Sequence, residues 1–172
     1  MKPNSSGLKS PSMAIIAKNL FLIILFAGLS GTQIFAQTTS PQASQLLTSY
    51  LGIKDALIAG DANAAAAKAE EFVKAANVID DKTIPAASRS GLVKDASGIA
   101  ENKDIKHQRE HFAGLSSNMA TLAKSVKLSS QPVYQQYCPM KKAYWLSSEA
   151  AIKNPYFGNA MLTCGKITEA LK

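Results

Sequence analysis

The residues with the clearest potential for chemistry lie near the C-terminus, where both cysteines of the chain occur. Cys138 precedes Met140 by two positions, and Met161 precedes Cys164 by three. Each pair combines a thiol with a thioether, and such soft sulfur ligands favour Cu(I) over Mg²⁺ or Ca²⁺. If the second segment is helical, Met161 and Cys164 share one face of that helix. The pattern therefore predicts a soft-metal site.

Two histidines, the only ones in the chain, are candidates for a further ligand. His107 and His111 are four positions apart, so a helix places them on one side. His111 borders the apolar positions Phe112 and Leu115, from which it can reach a segment packed on that helix. Because imidazole completes many copper sites, we expect His111 to be the next ligand after the four sulfur residues.

A disulfide is an equally good interpretation of two cysteines in an exported protein. A bond between Cys138 and Cys164 would close a 27-residue loop. It would add about 3.5 kcal/mol of stability in the chain-entropy account. The methionines would then fill the core, and the aromatic side chains of this segment would pack it onto the domain: Tyr144, Trp145, Tyr156 and Phe157. The spacing leaves both interpretations open.

Enzyme signatures are absent from the sequence. It contains no glycine-rich phosphate loop, no Gly-x-Ser-x-Gly elbow and no His-Glu-x-x-His motif. Neither histidine has the sequence neighbours of a Cys–His nucleophile pair. Cys138 also lacks the second cysteine of a Cys-x-x-Cys redox motif. We therefore expect a protein without catalytic activity.

We expect the stretch from Ser40 to Lys127 to form the helices that position these residues. Ser40 is a predicted N-cap, Gly60 a predicted left-handed C-cap, and Asp61 the cap of an alanine-rich second helix that residues 80–85 end. A third, weaker apolar pattern covers Leu92, Val93, Ala96, Ile99 and Ala100. The fourth pattern is the clearest and consists of Ile105, Phe112, Leu115, Met119, Leu122 and Val126. Four helices with short loops predict an all-α fold, an up-and-down four-helix bundle.

Beyond the fourth helix, residues 131–172 are expected to form a small irregular cap rich in cysteine, methionine and aromatic residues. Residues 133–138 have the pattern of a short extended stretch, and residues 154–158 that of a turn. Ser147 or Ser148, ahead of Glu149, predicts one helical turn between the two. If the chain contains short strands, we therefore expect them within this cap.

The first 36 residues have the organisation of a secretory signal. Three lysines precede an apolar run at residues 20–29, and polar sequence then leads to a small residue, Ala36, at which cleavage is expected. The run is shorter than the roughly 20 apolar residues that a spanning helix needs. We expect residues 1–36 to be cleaved and residues 37–172 to form a single helical-bundle domain, periplasmic or secreted, without a stable membrane span.

Composition and charge exclude other classes. Hydrophobic residues make up 47% of the chain, which is too many for a disordered protein. The formal net charge is +7, and removal of the three leader lysines leaves +4, an ordinary value for a solvated surface. No arginine-rich run or basic patch with interleaved aromatics occurs, so nucleic acid is not an expected partner.

Several of these residues lie in longer motifs that resemble a secreted domain-of-unknown-function family. The motifs are Tyr137-Cys138-Pro139-Met140, Ala143-Tyr144-Trp145-Leu146-Ser147, and Asn154-Pro155-Tyr156-Phe157-Gly158 followed by Met161-Leu162-Thr163-Cys164-Gly165. Gln108-Arg109-Glu110-His111-Phe112 and the helix with Tyr50-Leu51 are similar to that family as well. The family occurs as stand-alone exported proteins and fused to the C-terminus of copper/silver efflux adaptor (membrane fusion) proteins.

The resemblance implies an extracytoplasmic helical domain that binds copper or a related heavy metal. It implies Cys138, Met140, Met161 and Cys164 as ligands, with His111 next. We therefore expect a non-catalytic protein that buffers Cu(I) or Ag(I) or hands the ion to copper/silver efflux components. The alternative is a disulfide-stapled periplasmic protein-interaction domain without metal.

Overall fold

The computed structural model describes residues 39–171, and the signal sequence expected at residues 1–36 lies outside them. Four helices come first, namely α1 Pro41–Ala59, α2 Ala62–Asn77, α3 Ala86–Ala100 and α4 Ile105–Ser125. They are followed by β1 Val133–Cys138, β2 Ala143–Ser147, a 3-10 helix Gly158–Met161 and β3 Lys166–Leu171. The prediction of four helices is confirmed, and the C-terminal segment contains a small sheet.

The boundaries of the helices follow from local caps. The Ser40 side chain accepts a backbone N–H of the first turn of α1 at 3.4 Å, and Gly60 ends that helix with a φ of 76°. Asp61 accepts a backbone N–H of α2 at 2.9 Å, and Asp104 accepts one of α4 at 2.8 Å. Each cap satisfies a backbone group that the end of a helix leaves without a partner. The caps predicted at Ser40, Gly60 and Asp61 are therefore confirmed.

The helices share one hydrophobic core. Consecutive helices pack on each other, α1 on α2, α2 on α3 and α3 on α4. The apolar stripe predicted on α4 is buried at Phe112, Leu115, Met119 and Leu122. Between residues 39 and 171, no helix combines the length and the apolar character needed to cross a membrane.

The three strands form an antiparallel sheet in the order β2-β1-β3. β1 and β2 make a hairpin in which Cys138 pairs with Ala143. β1 also pairs with β3, with a shift of register between Gln135 and Gln136. The extended stretch predicted for residues 133–138 is therefore confirmed as β1, the central strand of the sheet.

The helical turn predicted after Ser147 is wrong. Ser147 stays in β2, and its hydroxyl oxygen accepts the Glu149 N–H at 3.1 Å. The buried Gln136 side chain of β1 donates to the Glu149 carbonyl at 2.9 Å, with the two following carbonyls also within reach. Because these carbonyls accept from the Gln136 side chain, they do not accept the backbone N–H groups of a following helical turn. The chain therefore bends here and does not form a helix.

Two tyrosine hydroxyls cover the outer edge of β2. The Leu146 N–H donates to the Tyr50 hydroxyl of α1 at 3.0 Å, and the Tyr156 hydroxyl donates to the Tyr144 carbonyl. The Tyr50 hydroxyl also lies 2.7 Å from the Ser116 hydroxyl of α4. An edge strand otherwise presents unpaired backbone groups. These bonds take the place of a further strand and fix the sheet to α1 and α4.

Replacing Tyr50 by Phe removes one hydroxyl and leaves the buried Leu146 N–H without its acceptor. We expect the free energy of unfolding to fall by about 2 kcal/mol, since an unsatisfied buried donor costs about 1–3 kcal/mol. Urea unfolding measures the change. Tyr144→Phe is the matched control, because Tyr144 is 41% exposed and a surface hydroxyl contributes little. Equal stabilities of the two variants would contradict the role given to Tyr50.

Candidate functional site

The structure brings the two cysteines together. Cys138 ends β1 and is fully buried, whereas Cys164 is half-buried in the loop before β3. Both are free thiols, and the Cys164 thiol lies close enough to Cys138 for that residue to raise its pKa. Strand pairing explains this proximity, because Tyr137 pairs with Lys166 and the residues just beyond that pair come to face each other. Cys138 and Cys164 together form the thiol pair of this domain.

The pKa of the Cys164 thiol lies above its ordinary value. Burial raises the pKa of the Cys164 thiol, and the charge and hydrogen bonding of Cys138 raise this pKa further. Because an ordinary thiol already titrates above neutral pH, Cys164 is a neutral thiol at pH 7. A metal ion that binds its sulfur must therefore displace a proton.

Asn154 holds the loop that carries Cys164. The residue is fully buried, its Nδ2 donates to the Cys164 carbonyl at 2.7 Å, and its Oδ1 accepts the Tyr156 N–H at 2.9 Å. Its backbone N–H donates to the Leu162 carbonyl at 2.8 Å, and its carbonyl accepts the Gly158 N–H at 3.0 Å. All of its polar groups thus bond within one loop, which fixes the position of Cys164 within that loop.

The hairpin after β1 orients the other thiol. The Lys141 N–H donates to the Cys138 sulfur at 3.4 Å, and the Lys142 N–H donates to the Cys138 carbonyl at 2.8 Å. Lys142 adopts a left-handed conformation with a φ of 58°, which costs a residue with a side chain about 1–2 kcal/mol. The hairpin is thus strained at Lys142, and its Lys141 N–H points at the Cys138 sulfur.

The two methionines predicted as ligands lie on the loops that flank the thiol pair. Met140, in the hairpin, is 65% exposed, and Met161 is partly exposed at the end of the 3-10 helix. The Cys164 N–H donates to the Met161 carbonyl at 3.1 Å. A turn therefore relates Met161 to Cys164, and the prediction that both share one face of a helix is wrong because the helix ends at Met161.

His111 lies on the side of α4 that faces α3. Its Nδ1 is 4.0 Å from the Asp95 carboxylate, and its ring centroid is 4.6 Å from that of His107. From residue 39 to residue 171, no group of three or more His, Cys, Asp or Glu side chains is arranged to hold a metal ion. The structure thus joins the two thiols with each other but does not join His111 to them.

Aromatic rings connect the thiol pair to the helices. Tyr50 stacks on Phe112 with centroids 5.2 Å apart, Phe112 lies 5.9 Å from Tyr156, and Tyr156 lies 6.1 Å from Trp145. Trp145 is fully buried, and a Cβ placed on Gly165 would lie only 2.8 Å from its ring. The single tryptophan of the chain is therefore a natural fluorescence probe of the loop that carries Cys164.

Sequence reasoning missed the role of Arg109. Its Nε donates to the Pro155 carbonyl at 2.9 Å, and its Nη2 donates to the Leu57 carbonyl of α1 at 2.9 Å. Burial lowers the pKa of Arg109, yet an arginine of this kind stays charged at neutral pH. Arg109 thus ties the start of the Cys164 loop to the end of α1. Asn154 was assigned only to a turn, because bonds between residues distant in sequence leave no local pattern.

Four helices with a docked three-stranded sheet define the architecture, and the family follows from comparison. Residues 46–131, half of the 172-residue chain, match the family described as Protein of unknown function (DUF3347), and the chain belongs to that family. The match runs from within α1 to the end of the α4–β1 connection, so the thiol pair lies beyond it. Comparisons with curated proteins and with solved structures find no match.

Substitution of Asn154 by Ala removes both side-chain bonds that hold the Cys164 loop. We expect a loss of about 2–3 kcal/mol in the free energy of unfolding, because buried polar partners are left unsatisfied. We also expect faster alkylation of Cys164, measured by mass spectrometry over time. Asn159→Ala is the matched control, since Asn159 is an exposed asparagine of the same loop. An unchanged alkylation rate in the folded Asn154 variant would contradict the positioning role.

Proposed function

We propose that this protein is a non-catalytic, extracytoplasmic protein that binds Cu(I) or Ag(I) through Cys138 and Cys164. It buffers the ion or hands it to copper/silver efflux components. The observation that supports the proposal most directly is the proximity of the two thiols. Thiolate ligands select Cu(I) over harder ions, and the exported location rests on the leader-like residues 1–36.

Transfer of the ion would proceed by ligand exchange. Cys138 is fully buried and remains attached to the ion, whereas half-buried Cys164 is the side from which an incoming ligand approaches. Met140 and Met161 supply weaker thioether donors from the two flanking loops. The exposure of Met140 suits a ligand that makes the first contact with a partner and is released easily.

The four helices are proposed to run up and down as antiparallel neighbours. Support comes from the short connection of two residues between α1 and α2 and from the packing of consecutive helices. Short loops favour antiparallel neighbours because a short connection cannot run back along the whole length of the bundle. Such a bundle is a rigid support for the sheet and its thiol pair.

A second candidate function is a disulfide-stapled interaction domain without metal. The same proximity of two thiols favours it, because exported compartments are oxidising. Intact mass and alkylation of protein recovered from the exported compartment separate the two functions. A mass about 2 Da lower with unreactive cysteines means a disulfide. Two thiols protected until a copper chelator is added mean a metal site.

Loss of either thiol should abolish tight Cu(I) binding. We expect Cys138→Ser and Cys164→Ser each to weaken Cu(I) binding more than about 100-fold, since even changes beyond the ligands cost 10–100-fold. Competition with a chromophoric Cu(I) chelator under anaerobic, reducing conditions measures the affinity, and Trp145 fluorescence follows the same titration. Met140→Leu, which removes an exposed thioether, serves as the comparison and should lose less. Wild-type affinity in either serine variant would refute the proposal.

The affinity should rise with pH. Since the pKa of Cys164 lies above its ordinary value, its thiol releases a proton on binding up to that raised pKa. Each proton released makes binding about tenfold tighter per pH unit. Chelator competition between about pH 6 and 8, corrected for protonation of the chelator, measures the slope. The slope should decrease by about one proton in Cys164→Ser, and a flat profile in the wild type would be inconsistent with thiolate ligation.

A further inference from the structure

The interface between α3 and α4 contains a polar cluster that the thiol pair does not use. His107 and His111 lie one turn apart on α4, with ring centroids 4.6 Å apart. Asp95 approaches from α3, with its carboxylate 4.0 Å from the Nδ1 of His111. We propose that His107 and His111 form a second metal site, for a borderline divalent ion such as Cu²⁺, Ni²⁺ or Zn²⁺.

Two glycines make room for the cluster. A Cβ placed on Gly98 of α3 would lie 2.5 Å from the His111 ring, and a Cβ placed on Gly114 of α4 would lie 2.7 Å from the Asp95 carboxylate. Each of these distances is far below ordinary contact, so no larger residue fits without a shift. Each polar side chain therefore rests directly on the backbone of the opposite helix, and the helix pair holds both of them in place.

The carboxylate is itself held by a third polar group. Asn118 donates from its Nδ2 to one oxygen of Asp95 at 3.0 Å, while the other oxygen faces His111. At 4.0 Å, this oxygen is beyond hydrogen-bonding distance of the His111 Nδ1. Asp95 therefore contributes a negative charge beside the ring, which favours a cation there.

His107 supplies the second ligand. Its Nδ1 is buried and has no hydrogen-bond partner within residues 39–171, so the protein around it does not satisfy this nitrogen. Imidazoles four residues apart on a helix bind one metal ion together. Rings 4.6 Å apart are close enough for one nitrogen of each to ligate a shared ion, for which metal–nitrogen distances are about 2.0–2.1 Å.

The chemistry of this site differs from that of the thiol pair. Imidazole suits Cu²⁺, Ni²⁺ and Zn²⁺, whereas thiolate and thioether select Cu(I). With no third His, Cys, Asp or Glu ligand among the described residues, water completes the coordination. The ion is therefore held by two protein ligands and exchanges readily. The inference stands on the α3–α4 geometry and is independent of the proposed Cu(I) function.

Titration with Ni²⁺, followed by NMR of the imidazole groups, tests the inference. The chain has two histidines, so every imidazole signal is assignable. We expect both imidazoles to broaden together at one equivalent of Ni²⁺. Broadening of one imidazole alone, or of neither, would overturn the proposal without any need for a variant.

Variants then test each part of the cluster by calorimetry with Ni²⁺. His107→Ala should weaken binding more than tenfold, and Asp95→Asn should weaken it less, because only a negative charge beside the site is lost. Glu110→Ala keeps both ligands and is the matched control on the same helix. Cys164→Ser should bind Ni²⁺ as the wild type does. A loss of binding there would place the ion on the thiols and refute the histidine site.

Discussion

The rest of the domain depends on the hydrogen bonds of one group, the Tyr50 hydroxyl. It belongs to α1, accepts the N–H of Leu146 in β2 and lies against Ser116 of α4, so one oxygen joins three elements. Burial raises the pKa of Tyr50 far above its ordinary range, and the hydroxyl therefore keeps its proton. Because β2 holds β1 and β1 carries Cys138, the position of the thiol pair relative to the helices depends on this oxygen.

Attachment of the sheet uses mainly backbone groups of the C-terminal segment. Tyr50 and Arg109, both inside the family match at residues 46–131, bond to the Leu146 N–H and the Pro155 carbonyl outside it. Buried side chains of the segment, among them Trp145 and Leu146, also pack into the core that the helices form. The helices therefore support the C-terminal segment both through its backbone groups and through its buried side chains.

The sequence predicted what local chemistry controls. Ser40, Gly60 and Asp61 act within one turn, so the helix ends were correct, and the α4 stripe was buried as expected. The turn after Ser147 failed because Gln136, distant in sequence, takes the carbonyls that a helix would have used. Strand pairing placed Cys138 beside Cys164 and left His111 with α3, and pairing of this kind is not readable from spacing alone.

The proton on Cys164 affects both reactions that are open to two neighbouring thiols, oxidation and the proposed binding of a metal ion. Thiolate is the reactive form in disulfide chemistry, so a raised pKa slows oxidation by lowering the thiolate fraction. Under the proposed Cu(I) function, a soft ion would displace this proton as its bond to the sulfur forms. The raised pKa thus disfavours oxidation at Cys164, whereas a soft cation that displaces the proton would still bind under the proposed function. The imidazoles of α4 cannot form a disulfide, and the proposed site there would take a different class of ion.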